Sequence, residues 1–158
     1  MIFIDPTTHE EFSITELCNL LKTKISKKNN IYIGADSQEQ GNKIIIATAV
    51  IVYNHNKGGT YFYNREILNA KYFKSLRQRL MYEIQKSTET AICLMELDEL
   101  CDKFSVHIDI NSDNRFKSSI VLKEAKSYIL SQGFECETKP NSWASSCVAD
   151  KLTKIRPK

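Results

Sequence analysis

The chain has 158 residues, 42% of them hydrophobic and 26% charged, with a net charge of +3. That balance fits a folded globular protein and excludes a disordered chain, which would carry fewer apolar residues and a larger net charge; the length suits a single domain, residues 1–158, with one buried core. No stretch approaches the roughly 20 apolar residues of a membrane-spanning helix, and the N-terminus has no apolar run fit for a secretory signal, so a cytoplasmic protein is expected.

Residues 13 to 27 open with Ser13 at a helix N-cap position and Glu16 three residues on, then set Leu17, Leu20, Leu21 and Ile25 at helical spacing, which predicts an amphipathic helix. NIYIGADS and GNKIIIATAVIVYN are rich in β-prone residues and predict two strands. The short polar link SQEQGNK between them suits an antiparallel hairpin, and NHNKGG leads into a third strand, TYFYNREI. From about Lys71 to Leu100 the apolar period changes to three and four, through Phe73, Leu76, Leu80, Ile84, Ala91 and Met95, and predicts one long helix. FSVHIDIN then alternates, with Phe104, Val106, Ile108 and Ile110 on one face and Ser105, His107, Asp109 and Asn111 on the other, as a fourth strand does. SSIVLKEAKSYILSQGF reads as a helix stopped at Gly133, ECETK as a short strand and SWASSCVADKLTKI as a final helix. After the leading helix the order is β-β-β-α-β-α-β-α. It predicts an α/β fold: one mixed five-stranded sheet, three antiparallel strands then two parallel ones, flanked by helices, with an extra N-terminal helix.

Four acids stand out on this framework. Asp36 is expected at the C-terminal end of the first strand, on the face of Tyr32 and Gly34, and Asp109 at the C-terminal end of the fourth. In open α/β sheets that edge is where ligands bind, because the loops there diverge. Glu83 falls between Leu76 and Leu80 on the helical stripe that must face the sheet, and a buried carboxylate needs a cation. A salt bridge to Arg79 or Arg65 competes there with a metal role. Glu89 and Glu96 fall on the opposite, solvated face. Asp150 lies off the apolar side of the last helix and, taken singly, reads as a solvated acid.

The five cysteines are scattered, with no C-x-x-C pair, a spacing that disfavours a zinc knuckle or a disulfide framework and fits small buried apolar residues. Two basic clusters, Lys22, Lys24, Lys27 and Lys28 and then Lys151, Lys154, Arg156 and Lys158, read as a solvated helix face and a charged tail more readily than as phosphate-binding patches. Trp143, Tyr53, Tyr61 and Tyr63 have ring faces on which any base could stack, core or sheet-face packing being the commoner fate.

The ordering of acids on elements resembles the ribonuclease H-like superfamily, and the segments IYIGADSQ, HIDINSDNRFKSS and KPNSWASSCVADKLT resemble its YkuK-type family over nearly the whole chain. The resemblance implies a metal-dependent nuclease acting on phosphodiesters in RNA or DNA. Two Mg²⁺ or Mn²⁺ ions would straddle the scissile phosphate, with Asp36 bridging them, Glu83 and Asp109 on one and Asp150 on the other. Ser37, His107, Asn111 and Lys117 are candidate substrate contacts, with Asp113 a further outer-shell candidate; His107 reads equally as a structural histidine. Residues 134 to 149 hold no histidine of the kind ribonuclease H proper carries before its last acid. The alternative is a non-catalytic nucleic-acid-binding or scaffold protein of the same fold. A small-molecule phosphotransferase lacks support, since five glycines form no phosphate loop.

Overall fold

The computed structural model of the protein describes residues 1–111, 115 and 121–154. The chain opens with two short strands that its sequence pattern did not predict, β1 (Ile2–Ile4) and β2 (Glu11–Ser13), paired antiparallel. Asp5 shapes the turn between them, its carboxylate accepting from the Thr7 N–H at 2.7 Å and the Thr8 N–H at 3.2 Å. The helix after Ser13 forms as α1 (Ile14–Lys24). Ser13 Oγ accepts from the Glu16 N–H, and the Glu16 carboxylate accepts from the Ser13 N–H at 2.8 Å, so two donors at the helix start are satisfied reciprocally.

Three long strands follow as an antiparallel meander: β3 (Asn29–Gln40), β4 (Lys43–Asn54) and β5 (Gly58–Asn69). The link expected at SQEQGNK shrinks to Gly41 and Asn42, because Gly41 takes the left-handed φ of 61° that a two-residue hairpin turn needs and lets Gln40 pair with Lys43. On the other side of β3, β6 (Lys103–Ile108) pairs parallel with it, and β7 (Glu135–Glu137) pairs parallel with β6. The five predicted strands therefore run in the predicted directions. Among the described residues the sheet has seven strands, ordered β2-β1-β5-β4-β3-β6-β7, two more than expected. The N-terminal hairpin adds the extra pair by docking β1 on β5 through Ile4 and Tyr63, which buries Phe3 completely.

The long helix is shorter than its periodicity predicts. α2 (Leu76–Cys93) starts at the Ser75 cap and ends at Leu94, and Met95–Leu100 winds on as a 3₁₀ helix. Leu94, Leu97 and Leu100 are spaced by three, the period of that tighter helix, and the first two are wholly buried. α3 (Leu122–Ser131) is followed by Gly133 at a φ of 87°. The final helix opens with a widened π turn, Ala144–Ala149, before α4 (Asp150–Lys154).

The two sheet faces pack against different helices. Ile31, Ile33, Val50, Val52 and Phe62 meet side chains of α1, α2 and α3 in the main core. On the opposite face Ala47, Ala49 and Ile51 meet Ala144, Ala149 and Leu152 of the last helix. Gly34 admits that helix at close range: a Cβ at this position would stand 2.6 Å from the Ser145 backbone nitrogen. Gly34→Ala is expected to cost about 1–3 kcal/mol by overpacking, read as a lower urea midpoint at unchanged slope. A midpoint equal to the parent's would mean that the helix lifts away at no cost.

Candidate functional site

Strand pairing decides where Asp36 sits. The parallel ladder of β3 and β6 runs from Asn30 opposite Lys103 to Ala35 opposite Ile108 and stops there, while β3 continues beside β4 to Gln40. Asp36 is therefore not at the end of its own strand, as its sequence context had implied. It lies where the sheet loses β6, and Asp109 is the first residue beyond β6 in the same register. Where β6 leaves, the two acidic positions come next in the same register, at the sheet edge where ligands usually bind in a sheet of this kind.

α2 brings Glu83 to the same place. Leu80 and Ile84 hold the helix against the sheet, and Glu83 between them is only 6% exposed. Glu83 and Asp109 line one small void, of about 10 Å³, together with Ser87 and Ile108. Ser37 Oγ donates a hydrogen bond to Glu83 Oε1. Of the arginines weighed as its partner, Arg79 is ion-paired with Glu39 at 3.6 Å, although its charge still draws the Glu83 carboxyl downward in pKa. Arg65 lies on β5, opposite Ala47.

Asp150 approaches from the other face of the sheet. It starts α4, which is tied to β3 beside Asp36: Thr153 Oγ1 donates to Gln38 Oε1 at 3.5 Å, and Gln40 Nε2 donates to the Thr153 carbonyl at 3.4 Å. The outer two acids carry lysines, Asp109 with Lys139 Nζ at 2.6 Å and Asp150 with Lys154 Nζ at 2.6 Å.

The inner two acids are electrostatically uncomfortable. Burial pushes the Asp36 carboxyl up to about 7, the charges of Asp109 and Asp150 add to the rise, and the Ser37 N–H and Arg79 offset part of it. Burial also holds Glu83 well above the usual carboxylate range, with the charge of Asp36 as the next cause. Asp36 thus feels the charges of Asp109 and Asp150, and Glu83 those of Asp36 and Asp109. Among the described residues, no three His, Cys, Asp or Glu side chains are gathered closely enough to grip one ion as they stand. The donor set itself, four carboxylates with an excess of negative charge around the buried pair, fits a hard divalent cation such as Mg²⁺ or Mn²⁺ and not a thiophilic one.

The remaining candidates fall unequally. Ser37 is in place beside Glu83, and Asn111 is half-buried two residues past Asp109. Lys117 and Asp113 lie outside the described residues. A substrate contact through His107 is corrected: the ring is 1% exposed, its Nδ1 accepts from the Ala144 N–H at 3.2 Å, and Tyr32 and Trp143 pack on it at 4.8 and 5.8 Å. Burial pushes its pKa down to about 4, so it is a neutral packing residue beneath the last helix. Lys139 is a site residue that sequence reasoning missed. Its position comes from a backbone hydrogen bond, Lys139 N–H to the Ile110 carbonyl at 3.2 Å, which no local pattern marks. Among the cysteines, Cys18 and Cys101 are buried as expected, whereas Cys93 and Cys147 are exposed.

The family model described as Ribonuclease H-like matches residues 13–154. No curated protein matches the chain. Among solved structures, the chain is similar to the N-terminal RNase H domain of Rv2228c from Mycobacterium tuberculosis, solved as a fusion with maltose-binding protein. The identity is 12%, the match covers 78% of this chain and 93% of that one, and the TM-score is 0.38. No helix among the described residues is long and apolar enough to cross a membrane.

Proposed function

The chain belongs to the ribonuclease H-like family, and from that premise we propose that it is a metal-dependent nuclease of the YkuK type, hydrolysing phosphodiester bonds in RNA or DNA by a two-metal-ion mechanism. The observation that carries this reading is the pair Asp36 and Glu83, both pushed up in pKa first by burial and then by nearby acids: Asp109 and Asp150 act on Asp36, and Asp36 and Asp109 act on Glu83. An array of this kind is costly for a fold and is typical of sites that bind positive charge. Asp36, Glu83, Asp109 and Asp150 would hold Mg²⁺ or Mn²⁺. When bound, the ions would supply charge to the attacking water and to the departing 3′ oxygen.

The chain's own groups have distinct parts around that centre. The Ser37 hydroxyl orients Glu83 by donating to it, and so fixes which carboxylate lone pairs remain for a ligand. Lys139 and Lys154 balance the outer acids in the absence of ions; with side chains 41% and 56% exposed, both are free to swing outward and meet the phosphates of an incoming strand. Arg79, one turn before Glu83 on α2, adds positive charge on the inner side.

The test is incubation of the purified protein with Mg²⁺ or Mn²⁺ and a panel of single-stranded, duplex, hybrid and branched substrates. Cleavage that stops with chelator and with Asp36→Asn is expected. No cleavage of any substrate with either ion would overturn the proposal and favour the non-catalytic binding protein.

A further inference from the structure

On the sheet face covered by the last helix, at the far end of β3 from the acids, Tyr32, Tyr53, His55, Tyr61 and Trp143 wall a cleft of about 560 Å³. Of the four aromatic residues whose rings could have stacked on bases, the structure gathers three here and adds Tyr32; Tyr63 packs elsewhere on the face, with Tyr61 at 6.5 Å. The rings meet edge to face: Trp143 with Tyr32 at 5.0 Å and 70°, Trp143 with Tyr53 at 6.2 Å and 70°, and Tyr53 with His55 at 5.2 Å and 78°. Tyr53, Tyr61 and Trp143 are only partly buried, so they are not closed into the core. Beside the wall, Asn30 is 5% exposed; its Nδ2 donates to Tyr32 Oη at 2.9 Å, and its buried Oδ1 has no hydrogen-bond partner. A planar group with an N–H donor suits such surroundings.

The cleft opens onto positive charge. Gly59 and Thr60, at the start of β5, line both this cleft and a second hollow of about 530 Å³ on the other side of the hairpin tip, where Lys24, Lys28 and Lys57 stand with Asn54 and Asn56 against the single acid Asp5. Among the described residues none of the three lysines is ion-paired. Aromatic faces beside uncompensated lysines are the two halves of a nucleotide's chemistry, one for the base and one for the phosphate.

We propose that the tip of the β4–β5 hairpin is a subsite for single-stranded nucleic acid. An unpaired base enters the cleft against Trp143 and Tyr61, and the adjoining phosphates cross Gly59 and Thr60 to reach Lys24, Lys28 and Lys57. A duplex cannot use it, because its bases are already stacked and paired. Tyr32 and Asp36 lie four residues apart on the same face of β3, about 13 Å along the strand. That distance corresponds to about four nucleotides of a stacked strand, fewer if it is extended. The last helix, packed over Gly34 between them, closes the direct line, so that distance is a minimum and a strand seated here reaches the acids around the helix. In this it rests on the nuclease reading and narrows its substrate to single strands, while the binding itself needs no acid and no metal.

Trp143 is the chain's single tryptophan, so its fluorescence reports the cleft directly. The experiment is titration of the full chain, in chelator, with a single-stranded oligonucleotide, its duplex and a nucleoside monophosphate. Quenching by the single strand is expected, with affinity about tenfold weaker in Tyr61→Ala, and with a log–log salt dependence shallower by about 0.7 in Lys57→Ala. Lys57 is exposed, so that variant keeps the test open should Tyr61→Ala fail to fold. No quenching by any single strand, a duplex that binds as tightly, or a monophosphate that binds as tightly would each overturn the proposal. A protein that quenches but cleaves nothing contradicts the nuclease reading alone, and one that cleaves without quenching contradicts this subsite alone.

Discussion

Asp36→Asn is expected to lower cleavage by more than about 100-fold, the upper end of what losing even an outer partner of a metal ligand costs, while making the metal-free protein more stable at neutral and alkaline pH. The two effects have one cause. Asp36 stands where β6 leaves β3, half-buried, with the charges of Asp109 and Asp150 near it and Glu83 beside it on α2. An amide keeps the shape of the side chain and removes the charge, which relieves the folded state and takes away the group that most needs a cation. An ordinary structural carboxylate would behave oppositely, since its loss would weaken the fold. Activity assays and urea denaturation of the same preparations separate the cases: a variant both inactive and less stable than the parent at pH 8 would contradict the account.

The stability of the parent itself should fall as the pH rises from about 4 to 7. The Asp36 carboxyl titrates at about 7 in the folded chain, against an ordinary value of 3.8. Below about pH 4 both states hold the proton and the group penalises neither. Between about pH 4 and 7 the unfolded chain ionises while the folded chain keeps its proton, so stability drops by about 1.4 kcal/mol per pH unit on account of this group. Above about pH 7 the loss levels off near 4 kcal/mol. Glu83, also raised, acts in the same direction. A divalent cation bound there would take the place of the retained protons, so its stabilising effect should grow with pH. Thermal melts of the chelated protein and of the protein with added Mg²⁺, at pH 5 and pH 8, test this. The expected result is a fall in Tm between the two pH values, steeper than in Asp36→Asn, and a rescue by Mg²⁺ at pH 8 that is small at pH 5. Parallel pH profiles for parent and variant would contradict it.

Much of this site was legible in the sequence, for reasons that differ residue by residue. Glu83 was found because a helix repeats every 3.6 residues, so an acid on an apolar stripe announces its burial. The alternation of β6 set Phe104, Val106 and Ile108 in the main core apart from Ser105 and His107, and the capping pair Ser13 and Glu16 marked the start of α1 to the residue. Positions set by partners, not by local pattern, were harder. The end of a strand is decided by its neighbour, which is why Asp36 proved to be four residues from the end of β3 and yet at the end of its pairing with β6. The β1–β2 hairpin has three-residue strands and one wholly buried side chain, Phe3, so it carries almost no period of its own. His107 shares a strand face with Asp109, but only the last helix, packed over Gly34, reveals that the ring is sealed beneath it. The lysine on Asp109 and the aromatic cleft exist only once distant segments meet.

The central claim is that Asp36, Glu83, Asp109 and Asp150 together form a divalent-metal site, and the position of an ion tests it most directly. Anomalous scattering from crystals soaked in Mn²⁺ should place a peak between Asp36 and Asp109, with Lys139 displaced from Asp109. Saturating Mn²⁺ that leaves the Asp109–Lys139 pair intact and no peak beside Asp36 would contradict it.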